Sequence, residues 1–141
     1  MKASAIADAF VEPRWPPRRY HYYYVRGKLA SDPLYPGVVA ALRGSAAPLL
    51  DLGCGIGLLA HALRADGQAM PYAGVDFDPG KIDIANNAAR RADLPGVAFA
   101  TCDLVRDRPP HRGSVALLDV LQYLPGDVQE RLLDDAIAML E

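Results

Sequence analysis

Short apolar runs alternating with helix-patterned segments predict an α/β fold: three layers, α/β/α, with a mainly parallel sheet of about four strands. Two further observations point the same way. A glycine-rich corner, Gly53-Cys54-Gly55-Ile56-Gly57, joins the first apolar run to the first helix pattern. Acidic residues, Asp51, Asp76, Asp103 and Asp119, stand at or just after the ends of the four runs. In an open parallel sheet, ligands lie beyond the carboxyl ends of the strands, so these carboxylates are expected to share one site.

Residues 1–17 read as irregular, with Pro13, Pro16 and Pro17 as breakers. Arg18 to Ala30 is basic and aromatic and reads as helical. Asp32-Pro33 starts a further helix that turns Tyr35, Val38, Val39 and Leu42 inward, and Gly44 ends it. Leu49 to Asp51 is the first strand of the alternating part, and Leu58 to Ala65 its first helix. Tyr72 to Asp76 is the second strand. Pro79 opens the next helix, at a position proline favours, and Ile82, Ala85 and Ala89 form its inward stripe. Val97 to Thr101 is the third strand, and Arg106 to Gly113 a loop. Ser114 to Asp119 is nearly all apolar and is expected as a fourth strand buried on both faces. The last helix carries Val128, Leu132, Ala136 and Leu140 on one stripe.

Bulk properties narrow the function. The chain has 141 residues, 51% of them hydrophobic, enough for one domain with a real core. A net charge of −2 supplies no global field for nucleic acid or an acidic membrane. Cys54 and Cys102 are too few for a disulfide framework or metal cluster, so no metal is expected. The first ten residues lack the apolar centre of a signal peptide, and no apolar run reaches spanning length. A cytoplasmic protein is expected.

The corner selects a ligand. Alternate glycines admit positive φ and close approach of a ligand to the backbone. The following helix start offers unpaired N–H groups. A dinucleotide fingerprint needs Gly-x-Gly-x-x-Gly, but the sixth position from Gly53 is Leu58, and no Gly-Lys-Ser/Thr is present. Asp51 before the glycines disfavours a pyrophosphate and favours an ammonium or sulfonium.

The run Asp51-x-Gly53-x-Gly55-x-Gly57 resembles the first motif of the class I S-adenosylmethionine-dependent methyltransferases. The resemblance covers roughly residues 36–141. It implies a Rossmann-like domain with about four of the family's usual seven strands. It further implies S-adenosyl-L-methionine as cofactor and in-line methyl transfer to a small-molecule acceptor. Asp51, Gly53, Cys54, Gly55 and Gly57 would cradle the cofactor. Gly74-Val75-Asp76-Phe77-Asp78-Pro79 resembles the second motif, with Asp76 on the ribose hydroxyls and Phe77 on the adenine face. Asp78 reads better as a helix cap. Thr101-Cys102-Asp103-Leu104 resembles the third motif, with Asp103 accepting the adenine amino group and backbone beside Leu104 reading a ring nitrogen. Asp119, Gln122 and Tyr123 fall in the stretch that lies beside the methyl group and the substrate in this family.

Residues 1–35 form a separate basic and aromatic segment in this reading. Between Pro13 and Lys28 stand five cations and no acid, interleaved with Trp15 and four tyrosines. One reading is a lid, with Arg26 pairing with the cofactor carboxylate and His21 and Tyr23 on the substrate side. A second is a nucleic-acid platform. A third is a helix that packs its tyrosines and solvates its arginines. Nucleic acid is not the expected methyl acceptor, because Asp119-Val120-Leu121-Gln122 stands where many base-amine methyltransferases carry Asn/Asp-Pro-Pro-Tyr/Phe. His111 is a further acceptor-side candidate, and His61 is expected on the outer side of its helix.

The sequence ends where the family places a turn and a fifth strand. A truncated enzyme and a short protein completed by dimerisation both account for that. The fourth strand is then an apolar edge, expected to pair with a second copy or to be covered by the amino-terminal segment or the last helix. The alternatives to a methyltransferase are an inactive cofactor-binding or regulatory module and, against the glycine spacing, a nicotinamide-dependent oxidoreductase.

Overall fold

Leu49–Leu52 (β1), Tyr72–Asp76 (β2), Val97–Thr101 (β3) and Ser114–Ala116 (β4) form one all-parallel sheet in the order β3-β2-β1-β4. The computed structural model describes residues 2–140. In register, Asp51 lies between Gly74 and Ala116, and Asp76 opposite Thr101. The sheet is the parallel one the alternation predicts, in the Rossmann-like arrangement the resemblance implies.

Helices cover both faces. Leu34–Ala41 (α3), Leu58–Ala65 (α4) and Pro79–Arg91 (α5) lie on one, and Gly126–Met139 (α6) on the other. The alternation of β1 explains the split: Leu49 joins Leu59, Leu63 and Tyr72, whereas Leu50 and Leu52 join Val75, Leu104 and Leu132. Each such leucine contributes about 1.5–3 kcal/mol by leaving water. Arg64 fixes the end of α4, donating to the carbonyls of Gln68, Met70 and Pro95 at 2.8–3.0 Å.

Several expectations need correction. Residues 1–17 are not wholly irregular: Ala3–Asp8 is a helix (α1), because Ile6, Ala7 and Phe10 have an apolar partner surface. They pack with Val25 and Leu29 of Tyr20–Ser31 (α2), and with Leu58 and Ala88. His61 is not on an outer surface. It is 2% exposed and lies 5.0 Å from the Phe10 ring, since α1 covers that side of α4. The buried stripe of α5 runs through Ala88, not Ala89, and that of α6 ends at Met139, with Leu140 outside the helix and exposed.

The fourth strand stops at Ala116, and only Ala116 in it is fully buried. Asp119 therefore lies three residues past the strand, in the left-handed region at φ 53. Along the start of β4, the Gly113 N–H donates to the Met139 carbonyl at 2.9 Å, and Gly113 bridges Leu140. The end of the last helix thus covers the start of that edge. No helix among the described residues is long and apolar enough to cross a membrane.

Candidate functional site

The carboxyl ends of the strands open on one cleft of about 940 Å³. Gly53, Cys54 and Gly55 line it after β1, Asp76 at the end of β2 and Phe77 just past it, and Asp103 and Leu104 after β3. Asp119, Gln122 and Tyr123 line it beyond β4. Ten of the sequence-derived site residues therefore converge, although they span seventy positions of chain.

The three glycines have different reasons to be glycine. All take positive φ: 81 at Gly53, 56 at Gly55 and 85 at Gly57. A Cβ on Gly57 would lie 2.5 Å from Phe99 Cζ, so this glycine lets α4 and the sheet close up. A Cβ on Gly53 would meet Val120 at 2.5 Å. At Gly55 a Cβ would meet nothing within 4 Å. Of the three, only Gly55 has unfilled space where a side chain would begin. Gly57, expected with the others around the cofactor, is not among the residues lining the cleft.

Asp76 is 8% exposed. Its Oδ2 accepts the Gly55 N–H at 2.9 Å and its Oδ1 the Asp78 N–H at 3.0 Å. These bonds leave acceptor capacity on both oxygens and lock the glycine loop to the end of β2. Asp78 caps α5, accepting from Gly80 and Lys81. Phe77 is 72% exposed, an aromatic face on the cleft wall. Asp103 Oδ1 accepts the Val105 N–H at 3.0 Å, fixing a turn after β3.

Asp51 does not line the cleft. It is 2% exposed beneath the loop, because its position in β1 faces the helix layer. Its Oδ2 accepts the Tyr72 hydroxyl at 2.6 Å, and its Oδ1 has no partner among the described residues. Burial pushes its pKa up to about 6, with Asp76 adding to the rise and Tyr72 opposing it. It is thus mainly ionised at neutral pH and supplies negative potential from below. Burial also pushes the Cys54 thiol up, so it stays protonated.

The amino-terminal residues divide by helical phase. Tyr24 and Lys28, one turn apart on α2, line the cleft with Tyr35. Arg26 does not, since it sits about 200° around the helix from both. Two cations line the cleft, Lys28 and Lys81; Lys28 is held at 2.9 Å by Asp32 and lies 3.9 Å from Asp119. Its pKa is raised, chiefly by the Asp32 hydrogen bond. Tyr23 is exposed and stacks edge-on against Tyr22, and His21 lines a separate cavity. His111 is committed elsewhere, with Nε2 2.9 Å from the Ser114 carbonyl. Lys28, Tyr35 and Lys81 were not assigned to the site from the sequence, and Tyr24 only as one of the amino-terminal tyrosines. The i, i+4 spacing of Tyr24 and Lys28 is the one signal that marks two of them. No group of residues suited to a metal occurs among those described.

Comparison with known proteins bears on this geometry. A family described as "Methyltransferase domain" matches residues 49–141. A search of curated proteins finds no match. Among solved structures, a TehB-like SAM-dependent methyltransferase from Corynebacterium glutamicum is 25% identical, with a TM-score of 0.59. The match covers 75% of this chain and 55% of that one. Magnesium protoporphyrin IX methyltransferase from Synechocystis, with bound SAH, is 19% identical at a TM-score of 0.66, covering 95% and 60%. The [4+2]-cyclase SpnF is 25% identical at 0.62, covering 74% and 40%. The chain thus spans 40–60% of the length of these structures.

Proposed function

This chain belongs to the methyltransferase-domain family, and we propose that it moves the methyl group of S-adenosylmethionine to a small-molecule acceptor. The family match supports this reading over the nicotinamide alternative. The carrying observation is one cleft that unites an open glycine backbone at Gly55, the paired carboxylate of Asp76, the bare ring of Phe77 and Asp103. Such a set suits a nucleoside with a cationic tail. Asp76 has acceptor sites for ribose hydroxyls, Phe77 a face for adenine and Asp103 an acceptor for its amino group. Gly53 to Gly55 would hold the amino-acid end, with Asp51 below favouring its positive charge. Lys28 offers a donor to its carboxylate in place of Arg26.

When bound, S-adenosylmethionine supplies a methyl group already activated by its sulfonium. The chain's own task is alignment, which supplies roughly 7–11 kcal/mol when the reacting atoms are held in near-attack geometry. Asp119, Gln122 and Tyr123 line the cleft with Tyr24 and Tyr35, and these residues would face the acceptor. The protonated Cys54 does not compete as nucleophile.

Phe77→Ala is the test. The ring is exposed, so its loss leaves thermal stability nearly unchanged. Stacking on an aromatic side chain is worth about 1–3 kcal/mol per base. Calorimetric titration with S-adenosylmethionine and S-adenosylhomocysteine should show affinity falling about 5- to 150-fold. Equal affinity in native and variant protein, or no binding by the native chain, overturns the reading.

A further inference from the structure

The amino-terminal arm carries a second constellation that shares no residue with the cleft. The Glu12 N–H donates to the Arg18 carbonyl at 3.2 Å, closing residues 12–18 into a tight loop. Its tip holds Arg14 and Trp15, and Trp15 is 92% exposed. Helix α2 continues with Tyr20 and Tyr23, 76% and 61% exposed on one face. A Leu, Ile or Phe in these positions would be an unexplained apolar patch. Here every large exposed side chain is aromatic with a polar atom.

The charges are as one-sided as the rings. Arg14, Arg18 and Arg19 make no ion pair among the described residues. Arg19 lies 6.0 Å from the Tyr22 ring centroid instead. Beside the loop is a cavity of about 250 Å³ whose wall includes Arg14, His21, Asn87 and Arg91, with Glu12 as its one carboxylate. The Arg91 guanidinium is anchored there by its Nε, which donates to the Ala9 carbonyl at 2.7 Å. The chain's net charge of −2 averages over this local excess and conceals it.

We propose that residues 12–23 bind single-stranded nucleic acid. Phosphates are held by Arg14, Arg18, Arg19 and the cavity around Arg91, and bases stack on Trp15 and Tyr20. Flat rings alternating with unpaired guanidinium groups fit a ligand in which bases alternate with phosphates. An anionic membrane fits less well. It needs an apolar helix face, and the apolar residues of α2, Val25 and Leu29, are buried in the core. The surface goes beyond the proposed methyl transfer and does not require it.

The full-length chain is titrated into a fluorescein-labelled oligouridylate of about 12 nucleotides, read by anisotropy between about 50 and 200 mM salt. Native protein should bind with log affinity falling linearly in log salt, at about 0.7 per phosphate neutralised. Converting Arg14, Arg18 and Arg19 together to glutamine should flatten that slope by about 2. Trp15→Ala and Tyr20→Ala should each weaken binding about 5- to 150-fold at fixed salt, with little change in slope. S-adenosylmethionine affinity, measured on the same samples, should not move, which separates this surface from the cleft and reports the fold. Absence of oligonucleotide binding at the lowest salt overturns the proposal. So does an unchanged slope in the triple variant, or indifference to Trp15→Ala. Tighter binding to phosphatidylserine vesicles than to the oligonucleotide overturns it in favour of a membrane.

Discussion

Replacing His61 by leucine should expose a pH dependence that the native chain conceals. His61 is buried in α4 with no partner for its Nε2 among the described residues, and burial pushes its pKa from 6.5 down to about 4. Asp51 runs the other way, from 3.8 up to about 6, again chiefly through burial. A histidine held low contributes stability that is whole above pH 6.5 and lost as pH falls through about 4. A carboxylate held high contributes stability that is whole below pH 3.8 and lost as pH rises through about 6. Between those limits the unfolded chain binds a proton at His61 and the folded chain binds one at Asp51. The two slopes have opposite sign and similar size. Each is worth about 3 kcal/mol over its full interval, at about 1.4 kcal/mol per pH unit. Native stability should therefore vary little between pH 4 and 6 through these groups. His61→Leu leaves Asp51 unopposed, so unfolding free energy should fall by about 3 kcal/mol more than in native protein as pH rises across that range. Urea unfolding of the ligand-free proteins at half-unit pH steps measures this, provided the urea dependence itself is unchanged. Asp51→Asn should tilt the curve oppositely. Parallel curves for native protein and His61→Leu would refute the assignment of these two buried groups.

The loop glycines should separate into two classes. Gly57→Ala drives a methyl into Phe99 at positive φ and should cost about 2–4 kcal/mol, seen as a lower melting temperature. Gly55→Ala meets nothing and should cost only the backbone term of about 1–2 kcal/mol. Its effect should fall instead on S-adenosylmethionine affinity by calorimetry. Tyr72→Phe removes the donor from Asp51 Oδ2 and should cost about 1–3 kcal/mol in urea unfolding. The same change should raise the Asp51 pKa further, observable by carboxyl carbon NMR titration.

Much of the site was legible because its chemistry is local. The run from Asp51 to Gly57 carries its turn geometry in residue types, and Asp76 closes a strand whose end is marked by Asp78-Pro79, with Phe77 next. Where the reading slipped, non-local contacts decided. His61 looked exposed because the partner that buries it, α1, is some fifty residues away. Arg26 was chosen for its charge, but helical phase turned Lys28 to the cleft instead.

Sequence alone thus determined the order along the chain of the four strands and of helices α2 to α6, the glycine corner and most of the carboxylates at its mouth, since periodicity and turn chemistry act over a few residues. Tertiary structure decided which glycine is open and which is packing, that Asp51 lies beneath the site, and that α2 turns Tyr24 and Lys28 to it. Those outcomes depend on which surfaces meet, and a side chain's exposure and charge are set by neighbours that lie far away along the chain.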